Sequence, residues 1–326
     1  VVPARTLDFI VVGTQKGGTT SLWQYLRSHP SIYLPEDKEA PFFSTALAVE
    51  PGGFSAFMAL HFASAPAGAL LGKVTPHYMM GNNQVQSDAI AQRIAMVLPG
   101  VRIVALLRDP IERAISHYRM SQRRAIETRS FDEMARELLA PAQLKAARAA
   151  PTETTSYLIQ GEYARILEGY LRHIPRPRVH VEFTDELARD PAGVLDRVLV
   201  FLGLEPGHRP RDLGIRHHRG GSRRRVGDEA EAQLRGFLDE HVWGRLGGDS
   251  ERIQHAFNFF LETWNIAPDE HLPVVSTQTR ERLQEHYVRD GELLTAAGIH
   301  APWLSRWRSP ASVREDPRSM SAPRPS

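Results

Sequence analysis

Residues 13–22, Gly-Thr-Gln-Lys-Gly-Gly-Thr-Thr-Ser-Leu, put three glycines, one lysine and four hydroxyl side chains into ten positions directly after an apolar run. Glycines let a backbone come close to a ligand, and the N-terminus of a following helix presents N–H groups to an anion. Gly17 and Gly18 supply that backbone, Lys16 supplies a full positive charge, and Thr19, Thr20 and Ser21 add hydroxyl donors, so the segment predicts a phosphate cradle. A nucleoside-triphosphatase loop reads G-x-x-x-x-G-K-[ST], with its lysine after the second glycine. Here Gly13 and Gly18 keep that spacing, but Thr19 stands at the lysine position and Lys16 lies inside the loop. A relocated lysine addresses a different oxygen. That argues against metal-dependent transfer of a γ-phosphate and keeps a nucleotide phosphate as the ligand.

The elements that must position this loop are legible around it. Leu7 to Val12 is a continuous apolar run rich in β-branched residues, and Ser21 to Pro30 is apolar at helical spacing, which reads as strand, loop, helix. The pattern recurs in Val101 to Leu107 followed by Arg108-Asp109-Pro110 and a helical stretch, with Pro110 suited to a first turn. A third strand is expected at Arg178 to Phe183, followed by a helix that Asp190-Pro191 can start and Gly203 can end. Continuous hydrophobicity marks strands buried on both faces. The fold class expected is therefore α/β, a P-loop-like three-layer arrangement with a central, mostly parallel sheet flanked by helices. Arg108 then lies at the carboxyl end of a parallel strand and Ser116 about two turns into the next helix, where ligands of open α/β sheets collect. Residues 161–174 predict a further amphipathic helix, and the charged stretch 131–150 reads as a helical covering element rather than core.

Composition narrows the partners. Lys and Arg total 40 against 38 Asp and Glu, a net charge of +2, so no global field points to nucleic acid or an anionic membrane. Cysteine is absent, which excludes a disulfide framework, a cysteine nucleophile and a thiolate metal site and fits a reducing compartment; cytoplasmic localisation is the expectation. No run reaches the ~18 apolar residues of a membrane span, and the opening residues lack the basic region and apolar core of a signal peptide. A soluble chain is expected, and a preceding segment is left open because the sequence opens on Val1 rather than Met.

The segment from Phe9 to Ser44 resembles the start of the sulfotransferase domain of enzymes that use 3′-phosphoadenosine 5′-phosphosulfate (PAPS), closest to the heparan sulfate N- and 3-O-sulfotransferases and bacterial relatives. The resemblance is carried by an ordered series: the loop, then KEAPFF, GKVTPHY, LLRDPIERAISHYRM, GEYARILEGYL and VHVEFTDELARDPAGVLDRVLVFLGL, covering roughly residues 7 to 204. It implies transfer of a sulfuryl group from PAPS to a hydroxyl of a small-molecule natural product or a saccharide, leaving adenosine 3′,5′-bisphosphate, with no metal. It further implies that Lys16, Gly17, Gly18, Thr19 and Thr20 bind the 5′-phosphosulfate and that Arg108 and Ser116 bind the 3′-phosphate. An arginine fork suits bidentate recognition of a phosphate.

The acceptor hydroxyl must lose a proton, and a carboxylate or imidazole near the sulfur is the expected base. Glu39 falls where the glycan-type relatives carry a glutamate base, and the neighbouring Phe42-Phe43 pair is expected to wall it from water and raise its pKa. A Lys-Glu pair such as Lys38-Glu39 is otherwise a common solvated feature. His77 is the reserve base, since wider relatives use histidine; His117, beside Ser116, is a further rival. The chain departs from the family at GKVTPHY, where the heparan enzymes carry a catalysis-associated lysine at the position of Val74. Lys73 next to it stays a candidate, although side-chain alternation along a strand favours an enzyme that manages without it.

One domain over residues 1–308 is expected, with a helical insertion at 228–275 and a disordered tail at 309–326 rich in Pro and Ser. The basic loop 216–225 resembles a family loop that closes over the 3′-phosphate, and a solvated charge run explains it equally. Further helices are expected around 229–264 and 278–297. Competing readings are a P-loop-type nucleotide or nucleoside kinase, in which Asp109 loosely mimics a magnesium-binding aspartate, and a catalytically silent nucleotide-binding module. Oligomeric state is not legible.

Overall fold

A computed structural model describes residues 5–81, 85–214 and 273–308, with short stretches at 223–224, 233–234, 236–238, 241 and 266–267. Five parallel strands form the central sheet in the order β2-β3-β1-β4-β5: β1 (Phe9–Val11), β2 (Ile32–Tyr33), β3 (Leu70–Val74), β4 (Arg102–Leu107) and β5 (Val179–Phe183). The loop strand β1 is central and pairs with β3 on one side and β4 on the other, in register Ile10 to Lys73 and Ile10 to Ile103. Alternation sends Phe9, Val11, Val74, Val104 and Leu106 to one face, where α1 (Thr19–Arg27) and α10 (Pro191–Phe201) pack through Leu22, Leu26, Val194, Leu195, Val198 and Leu199. Ile10, Ile103, Ala105 and Leu107 face the other layer, built by α4 (Ser87–Val97) and α8 (Tyr163–His173). The three-layer α/β architecture expected from the apolar runs is the one observed.

Local chemistry explains the starts and stops. Asp109 caps α5 (Pro110–Arg123) by accepting from the Ile111 and Glu112 N–H groups at 3.0 and 3.3 Å, with Pro110 in the first turn. Asp190 accepts from the Gly193 N–H at 2.8 Å to start α10, and Gly203 at φ +80° closes it. Between β5 and α10 a short helix, α9 (Thr184–Arg189), intervenes.

One expectation is corrected. The stretch 131–150 is two helices, α6 (Phe131–Leu138) and α7 (Pro141–Ala149), and α6 is core: Phe131, Met134, Ala135 and Leu138 are buried in a third apolar cluster with Ile111, Ala114 and Tyr118 of α5. Charged residues dominate its sequence because they hold its outer face. The helix expected at 278–297 is present as α11 (Thr277–Ala296), which brings Leu283 and Tyr287 into that cluster, and α12 (Pro302–Arg308) follows. Arg223–Arg224 pair antiparallel with Ile266–Ala267. The rest of loop 216–225, most of 228–275 and all of 309–326 lie outside the described residues. Among the described residues no helix is long and apolar enough to cross a membrane.

Helices α7, α8 and α11 are joined by one buried carboxylate. Glu162, 4% exposed, takes the Arg148 guanidinium at 2.6 and 2.9 Å, Arg165 Nε at 2.6 Å, and His286 Nε2 at 3.3 Å. Burial alone would raise its pKa; His286 and the two arginines outweigh burial and hold it at about 2 against an ordinary 4.5. A depressed folded-state pKa means stability present above pH ~4.5 that is lost as pH falls toward about 2. Glu162→Gln is expected to cost about 2 kcal/mol at pH 7, below the ~3–5 of a fully enclosed pair because both arginines reach solvent. Urea unfolding at pH 7 and pH 3 checks it: the variant's deficit shrinks at the lower pH.

Candidate active site

The chain's chemistry-bearing residues meet at the carboxyl ends of the three adjacent strands β3, β1 and β4, the edge of an open α/β sheet where ligands bind. The loop leaving β1 is pinned to β4 by Val12 N–H to Val104 O at 2.9 Å and Thr14 N–H to Leu106 O at 3.0 Å. Gly17 has to be glycine. A Cβ there would stand 2.8 Å from Thr14 O and 2.9 Å from Leu106 O, both backbone atoms that cannot step aside. Lys16 and Gly18 take left-handed conformations at φ +67° and +91°, which turns the chain into α1. The first turn of a helix has N–H groups without an intrahelical acceptor, and Gly18 brings no side-chain cap to α1, so those groups face the cradle. Gly17→Ala is expected to abolish binding of an adenine nucleotide in calorimetry while leaving far-ultraviolet circular dichroism unchanged.

Positive charge converges on that turn. Lys16 Nζ touches the thioether of Met120, 4.0 Å away on α5, and its pKa is lowered to about 8, chiefly by burial and then by Arg123, Arg108, Arg124 and Arg119. An anion in the cradle would relieve that crowding. Arg108 donates to the Lys16 carbonyl at 3.1 Å, so the guanidinium is held over the loop, and Tyr163 Oη donates to the Arg108 carbonyl at 2.8 Å. Ser116 lies on α5, 5% exposed, with its Oγ lacking a hydrogen-bond partner among the described residues. A buried hydroxyl can donate one hydrogen bond and accept others, which suits an anionic oxygen. Thr19 and Ser21 are buried and Thr20 half-buried at the start of α1.

Across the cradle, the stretch before α2 (Gly53–Phe62) and the short helix α3 (His77–Met80) after β3 carry the acid–base groups. Glu39 and His77 were rivals in the sequence and are neighbours in space: His77 Nε2 lies 3.4 Å from Glu39 Oε2, while Lys38 Nζ donates to Glu39 Oε1 at 2.6 Å. The expectation of a raised carboxyl pKa is corrected. Contact with His77 lowers it, burial opposes, and Lys38 adds to the lowering, for a value of about 2. Phe42 and Phe43 do not wall it in. Both rings are enclosed in the core with Phe54, Phe57 and Tyr78, and their backbone N–H groups donate to Tyr78 Oη at 3.2 and 3.3 Å, while the Glu39 side chain stays 47% exposed.

Lys73 is fully enclosed, with Nζ donating to the Asp37 carbonyl at 2.9 Å and a pKa lowered to about 8 by burial. Val74, its neighbour, packs on the opposite face with Val11 and Leu106. His117 is likewise enclosed: Nε2 is 3.2 Å from Glu153 Oε1, and burial lowers its pKa to about 4. It braces α5 together with the buried Arg113, which donates to Gln160 Oε1 at 3.1 Å and to the Tyr157 carbonyl. Asp109, the proposed magnesium mimic, has its carboxylate turned to its own helix and to Arg306 at 3.3 Å.

Three contacts that hold the loop were not legible in the sequence. Thr184 Oγ1 donates to the Gly17 and Leu107 carbonyls, Tyr163 holds Arg108, and Lys38 reaches Thr19 Oγ1 at 3.4 Å. Each joins segments distant in the chain: in the sequence Lys38 reads as half of a solvated Lys-Glu pair, and Thr184 and Tyr163 as parts of longer family motifs.

The glycine turn and the Glu39–His77 pair are joined through Lys38 at one end of the parallel sheet. Residues 6–218 match the sulfotransferase domain family, and the chain belongs to that family. It is 30% identical over 197 residues to heparan sulfate glucosamine 3-O-sulfotransferase 3B1 of Mus musculus, an alignment that covers 60% of this chain and 46% of that protein. It is 29% identical over 213 residues to bifunctional heparan sulfate N-deacetylase/N-sulfotransferase 3 of Homo sapiens, covering 62% and 23%. The chain therefore spans less than half the length of these relatives. Among solved structures, a sulfotransferase from Alicyclobacillus acidocaldarius aligns with a TM-score of 0.61 at 25% identity, covering 94% of this chain and all of that one.

Proposed function

We propose that the chain transfers a sulfuryl group from PAPS to a hydroxyl of a saccharide or a small-molecule acceptor. The observation that carries this reading is the convergence on one glycine turn of Lys16, of Arg108, which donates to the Lys16 carbonyl, and of Lys38, which reaches both Thr19 Oγ1 and the carboxylate of the Glu39–His77 pair. The residues fit the donor: Ser116 and the Arg108 fork suit a 3′-phosphate, and Lys16, the Gly17–Gly18 backbone and the Thr19 and Thr20 hydroxyls suit the 5′-phosphosulfate.

In the transfer, the acceptor oxygen forms a bond to sulfur as the bond from sulfur to the 5′-phosphate oxygen breaks. The electron pair stays on that phosphate, giving adenosine 3′,5′-bisphosphate, and the hydroxyl proton passes to the Glu39–His77 pair. Lys16 and the α1 N-terminus stabilise the charge spreading over the sulfuryl and phosphate oxygens. Glu39 and His77 are in contact, so the proton-accepting group is the pair. A held base suits a hydroxyl, whose proton must leave as the bond forms. Amine sulfation, named for the N-sulfotransferase relative, is the other arm of the test.

The test is transfer of radiolabelled sulfate from PAPS across a panel of sugar alcohols, phenols and amino sugars, with Lys16→Ala as the blank. Label on oxygen is the expected result. Label on nitrogen alone would replace the hydroxyl by an amine, and absence of label throughout would contradict the reading.

A further inference from the structure

Two lysines flank the cradle on its acceptor side, and the structure treats them in opposite ways. Lys73 points into the layer around Ile10 and spends its ammonium on the Asp37 carbonyl. Lys38 has a side chain only 11% exposed, and its Nζ lies between two groups: Thr19 Oγ1 at 3.4 Å, in the first turn of the anion cradle, and Glu39 Oε1 at 2.6 Å, in the acid–base pair. A sulfuryl group in flight must lie within reach of both the donor cradle and the acid–base pair. An ammonium that already contacts both stands beside that path. Val74, at the end of the neighbouring strand, contributes no charge there.

We propose that Lys38 is a catalytic residue that binds the transferring sulfuryl group itself, acting as the second cation opposite Lys16. The inference rests on the sulfuryl-transfer reading. Lys38 is shared: without donor its charge is spent on Glu39, and when the sulfonate oxygens enter the cradle it donates to them instead. Glu39 thereby loses part of the positive field that holds it ionised and becomes a stronger base once the donor is in place. The charged and titratable groups facing Glu39 are Lys38 on its own segment, His77 on α3 and, further off, Lys73 on β3, with Asp37 opposing Lys73. Of these, Lys38 alone also touches the cradle.

The proposal separates the two nucleotides. Adenosine 3′,5′-bisphosphate lacks the sulfuryl group and PAPS carries it, so Lys38→Ala is expected to leave calorimetric affinity for the first within about 3-fold and to weaken PAPS, titrated without acceptor, by about tenfold or more. Turnover falls about 10²-fold, the effect of removing one preorganised donor from a developing charge. The acid limb of kcat/KM moves to higher pH, because a carboxylate deprived of a cation holds its proton more tightly. Lys38→Arg restores the charge and recovers part of both effects. A Lys38→Ala protein that binds both nucleotides as the wild type does, with an unmoved acid limb, overturns this inference alone. Equal loss of both nucleotides overturns it too, since that marks a residue that merely props the loop. A wild-type protein that binds neither nucleotide overturns the sulfuryl-transfer reading together with this one.

Discussion

Lys16→Ala is expected to lower turnover by about 10²–10³-fold, a loss on the order of 3–4 kcal/mol of transition-state stabilisation, while adenosine 3′,5′-bisphosphate still binds. The size follows from where the ammonium sits. It lies in a cradle of backbone N–H groups and hydroxyls over which the Arg108 guanidinium is also held, and among the described residues it contacts a thioether rather than a carboxylate that would neutralise it. Its charge is therefore free for the oxygens that gain charge during transfer. The same setting makes it titrate early: burial and the arginines of α5 and Arg108 bring its pKa to about 8. Free enzyme should lose kcat/KM as pH rises through about 8, because the neutral amine no longer stabilises the transferring group. The dianionic 5′-phosphosulfate in the cradle favours the charged form, so the alkaline limb of kcat should lie higher than that of kcat/KM. Lys16→Arg keeps the charge but offers a planar fork in place of a compact ammonium, and only partial recovery is expected. A pH–rate profile of the three proteins checks the sign of each shift.

Glu39→Gln carries the second large effect. Loss of a positioned proton acceptor costs about 10²–10⁴-fold in the chemical step, and affinity for adenosine 3′,5′-bisphosphate, which lacks the sulfuryl group, should barely change. The substitution removes the partner of Lys38 and His77 together, so its cost exceeds that of His77→Ala if the carboxylate takes the proton. If Glu39→Gln keeps near-normal turnover and His77→Ala loses it, the imidazole is the base and Glu39 orients it. Because the two side chains are in contact, the double variant should cost less than the sum of the singles. Stopped single-turnover measurements with pre-bound PAPS read the chemical step directly in all three.

How much of this was legible in the sequence depended on whether a feature is local. Strands β1 and β4 announce themselves because each is an apolar run followed by a glycine or a capping residue, and β5 shows through its alternating valines and Phe183 ahead of a helical stretch. Strand β3 hides because Gly72 and Lys73 interrupt it. The glycine is imposed from outside: a Cβ at position 72 would lie 2.1 Å from the ring of Phe9 on the neighbouring strand. The charge of Lys73 is accommodated by a single backbone carbonyl. Strand β2, two residues long, has too little length to show a period. In the site, the cradle was readable because its glycines, lysine and hydroxyls are consecutive. The basicity of Glu39 was not, because the dominant influence on it comes from His77, on a helix beyond the next strand. Phe42 and Phe43 misled for the same reason: adjacency in the chain suggested that they shield Glu39, and the fold turns them into the core.

The central claim is that the loop leaving β1 holds a 3′-phosphorylated adenine nucleotide without a metal ion. Calorimetry with adenosine 3′,5′-bisphosphate in the presence of a chelator tests it most directly. Saturable binding, weakened by at least about tenfold when the 3′-phosphate is removed or when Arg108 is replaced by alanine, is the predicted result. Binding that requires magnesium and prefers ATP would contradict the account.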